Sequence, residues 1–109
     1  MGDSEGNITQ AEMNGKSFDD LEKANKKLES LYIEYENILK MDNIQGEVAL
    51  FHECNAHWAE FIYYEGFLAG RLYEGGTIQP LIINERRLYL TQQRIIDLTQ
   101  IIKDRNSNR

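Results

Sequence analysis

The sequence predicts an all-α fold, a three-helix up-down-up antiparallel bundle behind a disordered N-terminal tail. Three observations carry this. Apolar residues recur every three or four positions in three long runs, the signature of helices that each bury one stripe. The joints between the runs are short and rich in Gly, Asn and Asp, which folds neighbouring helices back antiparallel. No run alternates polar and apolar as a strand would, and no internal repeat is visible. A chain of 109 residues is long enough for one modest core and too short for two.

Residues 1–16 are rich in Gly, Asn, Ser, Asp and Glu and lack a periodic apolar face, so they are expected to be a disordered tail. The helical domain is expected over 17–105, with fraying over 106–109. Ser17 followed three residues later by Asp20 resembles a capping box, and Asp19, Asp20 and Glu22 suit the positive end of a helix dipole. The first helix is expected over 18–41, with the seam Leu21, Ala24, Leu28, Leu31, Tyr35 and Ile38 in steps of three and four. Asp42 and Asn43 open a turn and are the possible N-caps of the next helix.

The second helix is expected over 45–73, with the seam Val48, Phe51, Asn55, Trp58, Ile62, Glu65, Leu68 and Leu72; Cys54 and Phe61 widen that face. Gly66 and Gly70 each cost roughly 1 kcal/mol against alanine inside a helix. Each either permits a close helix contact or is merely tolerated. Gly75 and Gly76 break the helix, one supplying the left-handed C-terminal cap. Thr77 is then the expected N-cap of the third helix and Pro80 falls in its first turn, where a missing N–H costs little. Its seam reads Ile78, Leu81, Leu88, Thr91, Ile95, Leu98 and Ile102.

Charge narrows the function. The chain carries 18 acidic and 12 basic residues, a net charge of -6, which argues against non-specific nucleic-acid binding. It favours a basic partner, or simply keeps the protein in solution. No membrane-length apolar run is present, and "MGDSEGNITQ" has neither the basic start nor the apolar stretch of a secretory signal. Cys54 is the only cysteine, so no internal disulfide can form.

His52, Cys54 and His57 are residue types that bind zinc, but the two histidines lie about 140° apart around a helix, so no metal site is expected. No cofactor is expected either. Glu65 on the second seam would need a partner if buried, and Arg94 is the candidate, although it lies farther from the Gly75–Gly76 joint. Thr91 reads as a core threonine bonded back to the preceding turn. Tyr63, Tyr64, Phe67, Tyr73 and Tyr89 are the candidate binding residues, since tyrosines on an outer face suit a protein interface. No catalytic residue is expected.

In order, these pieces resemble the LprI-type lysozyme-inhibitor family of small bacterial envelope proteins. The stretch Ala24-Asn25-Lys26-Lys27-Leu28-Glu29-Ser30-Leu31-Tyr32 is similar to the family's Ala-Asp-x-x-Leu-Asn-x-x-Tyr segment. Asn55 to Gly66, with Trp58, the aromatic Phe61 and Glu65, is similar to its Gln-x-x-Trp-x-x-Tyr-Arg-Asp-x-Glu-Cys segment. Gly75-Gly76-Thr77 stands at its Gly-Gly-Ser/Thr turn. Leu90-Thr91-x-x-Arg94-x-x-x-Leu98 stands at its last segment. The likeness covers about 18–102. The family's cysteine pair falls on Gly66 and Arg86, so this chain would be a divergent, disulfide-free member.

The resemblance implies that Tyr32, Trp58, Glu65, Gly75, Gly76, Thr77, Thr91, Arg94 and Leu98 are family-motif positions, chiefly structural. It implies a non-enzymatic protein, periplasmic or secreted, that binds a basic peptidoglycan hydrolase or serves as an immunity protein against a wall-degrading toxin. The residues also allow a second reading, an interaction module that self-associates through its aromatic helix face as a homodimer.

Overall fold

A computed structural model describes residues 8–108. Three helices make up the fold: α1 (Gln10–Asp42), α2 (Glu47–Gly70) and α3 (Gln79–Ser107), with a 3-10 turn at Arg71–Tyr73. No strand occurs among the described residues. The two ends fix the topology. At one, Asn14 Nδ2 near the start of α1 donates to Thr77 O just before α3 (2.9 Å). At the other, Arg105 near the end of α3 binds Asp42 at the end of α1 and Glu47 at the start of α2. So α1 and α3 run the same way and α2 runs against them. The molecule is a flattened rod of 60 × 28 × 15 Å, with α3 packed along both other helices and α1 touching α2 far less.

Helix α1 starts earlier than its sequence suggested. Thr9, not Ser17, is its N-cap: Thr9 Oγ1 accepts from Glu12 N (3.1 Å) and Glu12 Oε1 accepts from Thr9 N (3.2 Å), a complete capping box. Residues 10–16, expected in the disordered tail, are therefore helical, and residues 1–7 of that tail lie outside the described residues. Ser17 is buried inside the helix, where its Oγ donates to Asn14 O (2.8 Å) and accepts from Asn84 Nδ2 of α3 (3.0 Å).

The joints also differ in detail. Asn43 closes α1 in the left-handed conformation (φ 54°) rather than opening α2, and Gly46 (φ 83°) precedes α2 with no side-chain cap. Gly75 (φ 81°) supplies the expected left-handed residue of the second joint. Thr77 is not the N-cap of α3; Ile78 is. Gln79 does the tying there: its Nε2 donates to Gly70 O (3.3 Å) and its Oε1 accepts from Gly75 N (3.4 Å). Pro80 does lie in the first turn of α3. That helix continues through Ser107, past the expected onset of fraying at 106; Arg109 lies outside the described residues.

The core is built from Leu28 and Leu39 of α1, Phe51 of α2 and Leu98 of α3, with Tyr32, Tyr35, Val48, Trp58 and Ile95 packed around them. Phe51 meets Tyr32 and Tyr35 edge-on at 5.6 and 4.9 Å between ring centroids, the arrangement that ring quadrupoles favour. The largest departure from the expected seams is in α2. Its inward face passes from Ile62 to Gly66 and Gly70, all buried, while Leu68 is 68% exposed and Leu72 93%. The cause is a close helix approach. A Cβ at Gly66 would lie 2.3 Å from Arg87 Nε, and one at Gly70 2.7 Å from Ile83 Cγ1. The glycines thus bring α3 against α2 and turn the two leucines outward.

Candidate functional site

Because Gly66 and Gly70 take the inward positions, the C-terminal half of α2 and the 3-10 turn after it present large side chains to solvent. Phe61, Tyr63, Tyr64, Phe67, Leu68 and Leu72 are all exposed. Tyr63 stands at the hub of the aromatic part, edge-on to Tyr64 (5.4 Å) and to Phe67 (4.8 Å). Arg87 of α3 fixes this cluster from beneath. Its guanidinium lies 5.0 Å from each of the Tyr63 and Phe67 ring centroids, and its Nη2 donates to Tyr63 O (2.8 Å). Burial lowers the Arg87 pKa from the ordinary guanidinium value, and cation–π contact partly replaces the water it has lost.

Tyr89 joins from the other edge of α2. Arg86 lies over its ring at 5.7 Å and holds Glu65 through Nε and Nη2 (3.2 and 2.8 Å). Tyr73 sits on the 3-10 turn at the end of the rod, partly exposed. Of the five candidate binding residues, then, Tyr63, Tyr64 and Phe67 form one cluster, Tyr89 belongs to the separate Arg86–Glu65 group, and Tyr73 lies on the 3-10 turn.

The expected Glu65–Arg94 contact is not made. Glu65 lies ten residues before Gly75 and Arg86 ten after Gly76, so an antiparallel hairpin brings these two level. Arg94 is eight residues farther on, about 12 Å along the axis. It turns to the bundle centre instead, where Nη2 donates to Asn55 Oδ1 (3.1 Å) and the guanidinium lies 5.9 Å from the Tyr32 ring and 6.0 Å from Trp58. Thr91, fully buried, lies one helical turn away, and Leu98 is 1% exposed. Tyr32 of α1, Trp58 of α2 and Arg94 of α3 thus tie the three helices together. Thr91 Oγ1 has no hydrogen-bond partner, so the expected bond back to the preceding turn is absent; Tyr32 OH and Arg94 Nε are likewise buried and unpaired.

The histidines and the cysteine diverge. His52 binds Glu36 of α1, His57 pairs with Glu53 and Glu60 on its own helix, and Cys54 is exposed. Among the described residues no group of three His, Cys, Asp or Glu is placed to hold a metal ion, and no helix is long and apolar enough to cross a membrane.

The Glu36 carboxylate is held below its ordinary pKa, first by the His52 hydrogen bond and then by Lys40. This α1–α2 tie is therefore present above the ordinary carboxylate value and is lost as pH falls through the lowered one. In an NMR titration the Glu36 midpoint should move up on His52→Ala. An unchanged midpoint would remove the pair as its cause.

The fold is thus a helical rod with an exposed apolar and aromatic face, of which Tyr63 and Phe67 stack on Arg87. The family model described as Lysozyme inhibitor LprI matches residues 1–98, and the chain belongs to that family. No curated protein and no solved structure matches it.

Beside the aromatic cluster, Gly66 packs on Arg87, and Arg86 is bound to Glu65. An ion pair and a cation–π stack join α2 to α3 at this level. Sequence reasoning missed Arg86 and Arg87 as the supports of the face. Their position ten and eleven residues after the Gly-Gly joint, mirroring Glu65 and Tyr64, was the available signal.

Proposed function

We propose that the protein is a non-enzymatic inhibitor that binds a basic, lysozyme-like peptidoglycan hydrolase in the bacterial envelope, in the periplasm or outside the cell. The observation that carries this reading is the family match over residues 1–98. Two physical features support it. The net charge of -6 steers a basic enzyme toward the chain. The Tyr63–Phe67 platform over Arg87 is also ordered before binding, which keeps the entropy cost of association low. Tyr63, Phe67 and, at the tip, Tyr73 make the enzyme contact, with Tyr64 beside Tyr63 and Tyr89 a separate contact over Arg86. Tyr32, Trp58, Thr91, Arg94 and Leu98 hold the rod that presents them. An immunity protein against a rival's wall-degrading toxin would use the same surface on a different enzyme.

The test is binding of the purified protein to a panel of peptidoglycan hydrolases at low and moderate salt, with enzyme activity read alongside. Tight binding with loss of activity is expected, weakening as salt rises. Tyr63→Ala, on an exposed side chain, should weaken inhibition roughly tenfold or more, as removal of an aromatic anchor does. Full hydrolase activity across the panel at saturating protein would reject the inhibitor reading. Inhibition untouched by Tyr63→Ala would reject this surface.

A further inference from the structure

Helix α2 is apolar on two opposite sides, and the fold covers only one of them. A helix apolar all round is ordinarily buried. On the open side Phe61, Tyr64 and Leu68 of α2 and Leu72 of the 3-10 turn that continues it follow one another at steps of three, four and four. Their exposures are 51%, 66%, 68% and 93%. Four side chains of this size offer roughly 500 Å² of removable area, on the scale of 150–250 Å² for a fully buried aromatic. That already reaches the largest apolar patch common on monomers. A stable interface buries roughly 800 Å² per partner, so the stripe would supply more than half of one and its polar flanks the rest.

The stripe is also complementary to itself. Its midpoint falls between Tyr64 and Glu65. An antiparallel copy turned about that point sets Phe61 against Leu68 of the other copy, and His57 against Leu72. On one flank stand Glu60 and Arg71, both exposed and eleven residues apart. Antiparallel two-fold pairing brings the same flank of each helix together; each Arg71 then lies two residues, about 3 Å, from level with the other copy's Glu60, within reach of its long side chain, twice by symmetry. Arg71 already lines the outer groove with Phe61, Tyr64 and Leu68.

We propose that two copies of this chain associate through the Phe61–Tyr64–Leu68–Leu72 stripe as antiparallel α2 helices, in a two-fold dimer registered by reciprocal Glu60–Arg71 pairs. Tyr63, about 100° around the helix from Tyr64, stands at the rim of this contact. The dimer leaves the platform over Arg87 at its edge and carries two such platforms.

The test is sedimentation equilibrium of the full chain across the micromolar range. A mass twice the 12.7 kDa of one chain is expected. Leu68→Glu should give a monomer with unchanged helical circular dichroism, because the side chain it replaces is exposed. Glu60→Arg and Arg71→Glu should each weaken the dimer about tenfold, since like charges then face each other twice. The double variant should recover most of the loss. A monomeric wild type overturns the proposal, including the case in which only a hydrolase occupies the stripe. A dimer that survives Leu68→Glu overturns the surface, and a double variant no better than the singles overturns the register. Hydrolase inhibition is read separately on the same samples, so failure of the dimer and failure of the inhibitor reading are distinguishable.

Discussion

Leu98→Ala should lower the unfolding free energy by about 3 kcal/mol, the middle of the range for a buried leucine cut back to alanine. Leu98 is 1% exposed and belongs to a cluster that joins all three helices, with Leu28, Leu39 and Phe51. The rod is only 15 Å thick, and the side chains packed around the cluster are only partly buried. A domain of this size holds on the order of 5–10 kcal/mol in total. The loss should therefore appear as a fall in Tm of about 15 °C. Ile33→Ala, a similar cut on an exposed residue of α1, should stay within about 0.5 kcal/mol of wild type. Urea unfolding followed by circular dichroism reads both. Equal losses at the two positions would mean that stability does not depend on this cluster.

The three helices were legible because the apolar spacing of α1 and α3 is set by packing against neighbours on one side only. Leu21, Leu28 and Ile38, and Thr91, Leu98 and Ile102, are all buried as their spacing requires. Helix α2 misled because it has two apolar stripes. Counting large residues selects Ile62, Glu65, Leu68 and Leu72. Packing selects Ile62, Gly66 and Gly70, since a helix surface without side chains lets α3 come closer and gain contact along its backbone.

The start of α1 was misplaced for a related reason. Ser17 fits a capping box in sequence, but so does Thr9 with Glu12, and a buried bond from Asn84 to Ser17 gives the intervening turns a tertiary reason to be helical. The aromatic face was partly legible. Tyr63, Tyr64 and Phe67 were identifiable as off-seam rings, whereas their support by Arg87 depends on the register of two helices across the joint. The same register decides why Glu65 meets Arg86 and not Arg94.

Gly70→Val is the second change with a large expected effect, a loss of about 2–3 kcal/mol. Its Cβ would lie 2.7 Å from Ile83 Cγ1 and 3.2 Å from Gln79 Cγ, so two residues on the first turns of α3 must move together. Overfilling a packed contact costs about 1–3 kcal/mol, and a β-branched side chain in a helix adds a smaller penalty. Gln79 cannot move freely, because it bonds both Gly70 O and Gly75 N and so fixes the joint.

Gly66→Ala makes the instructive contrast. The obstacle there is the side chain of Arg87, with Nε at 2.3 Å and Cδ and Cγ at 3.0 Å. A single long side chain can swing aside, and alanine in mid-helix recovers roughly 1 kcal/mol of helix propensity. Its stability should therefore remain within about 1 kcal/mol of wild type. The displaced guanidinium must leave the Tyr63 and Phe67 rings, so the near-ultraviolet signal of the tyrosines should change while the helical signal does not. If Gly70→Val instead unfolds at the wild-type urea midpoint, α3 does not press on α2 as described. Leu68 and Leu72 would then lose the packing reason that turns them to the outside, and the exposed stripe would lose its structural cause.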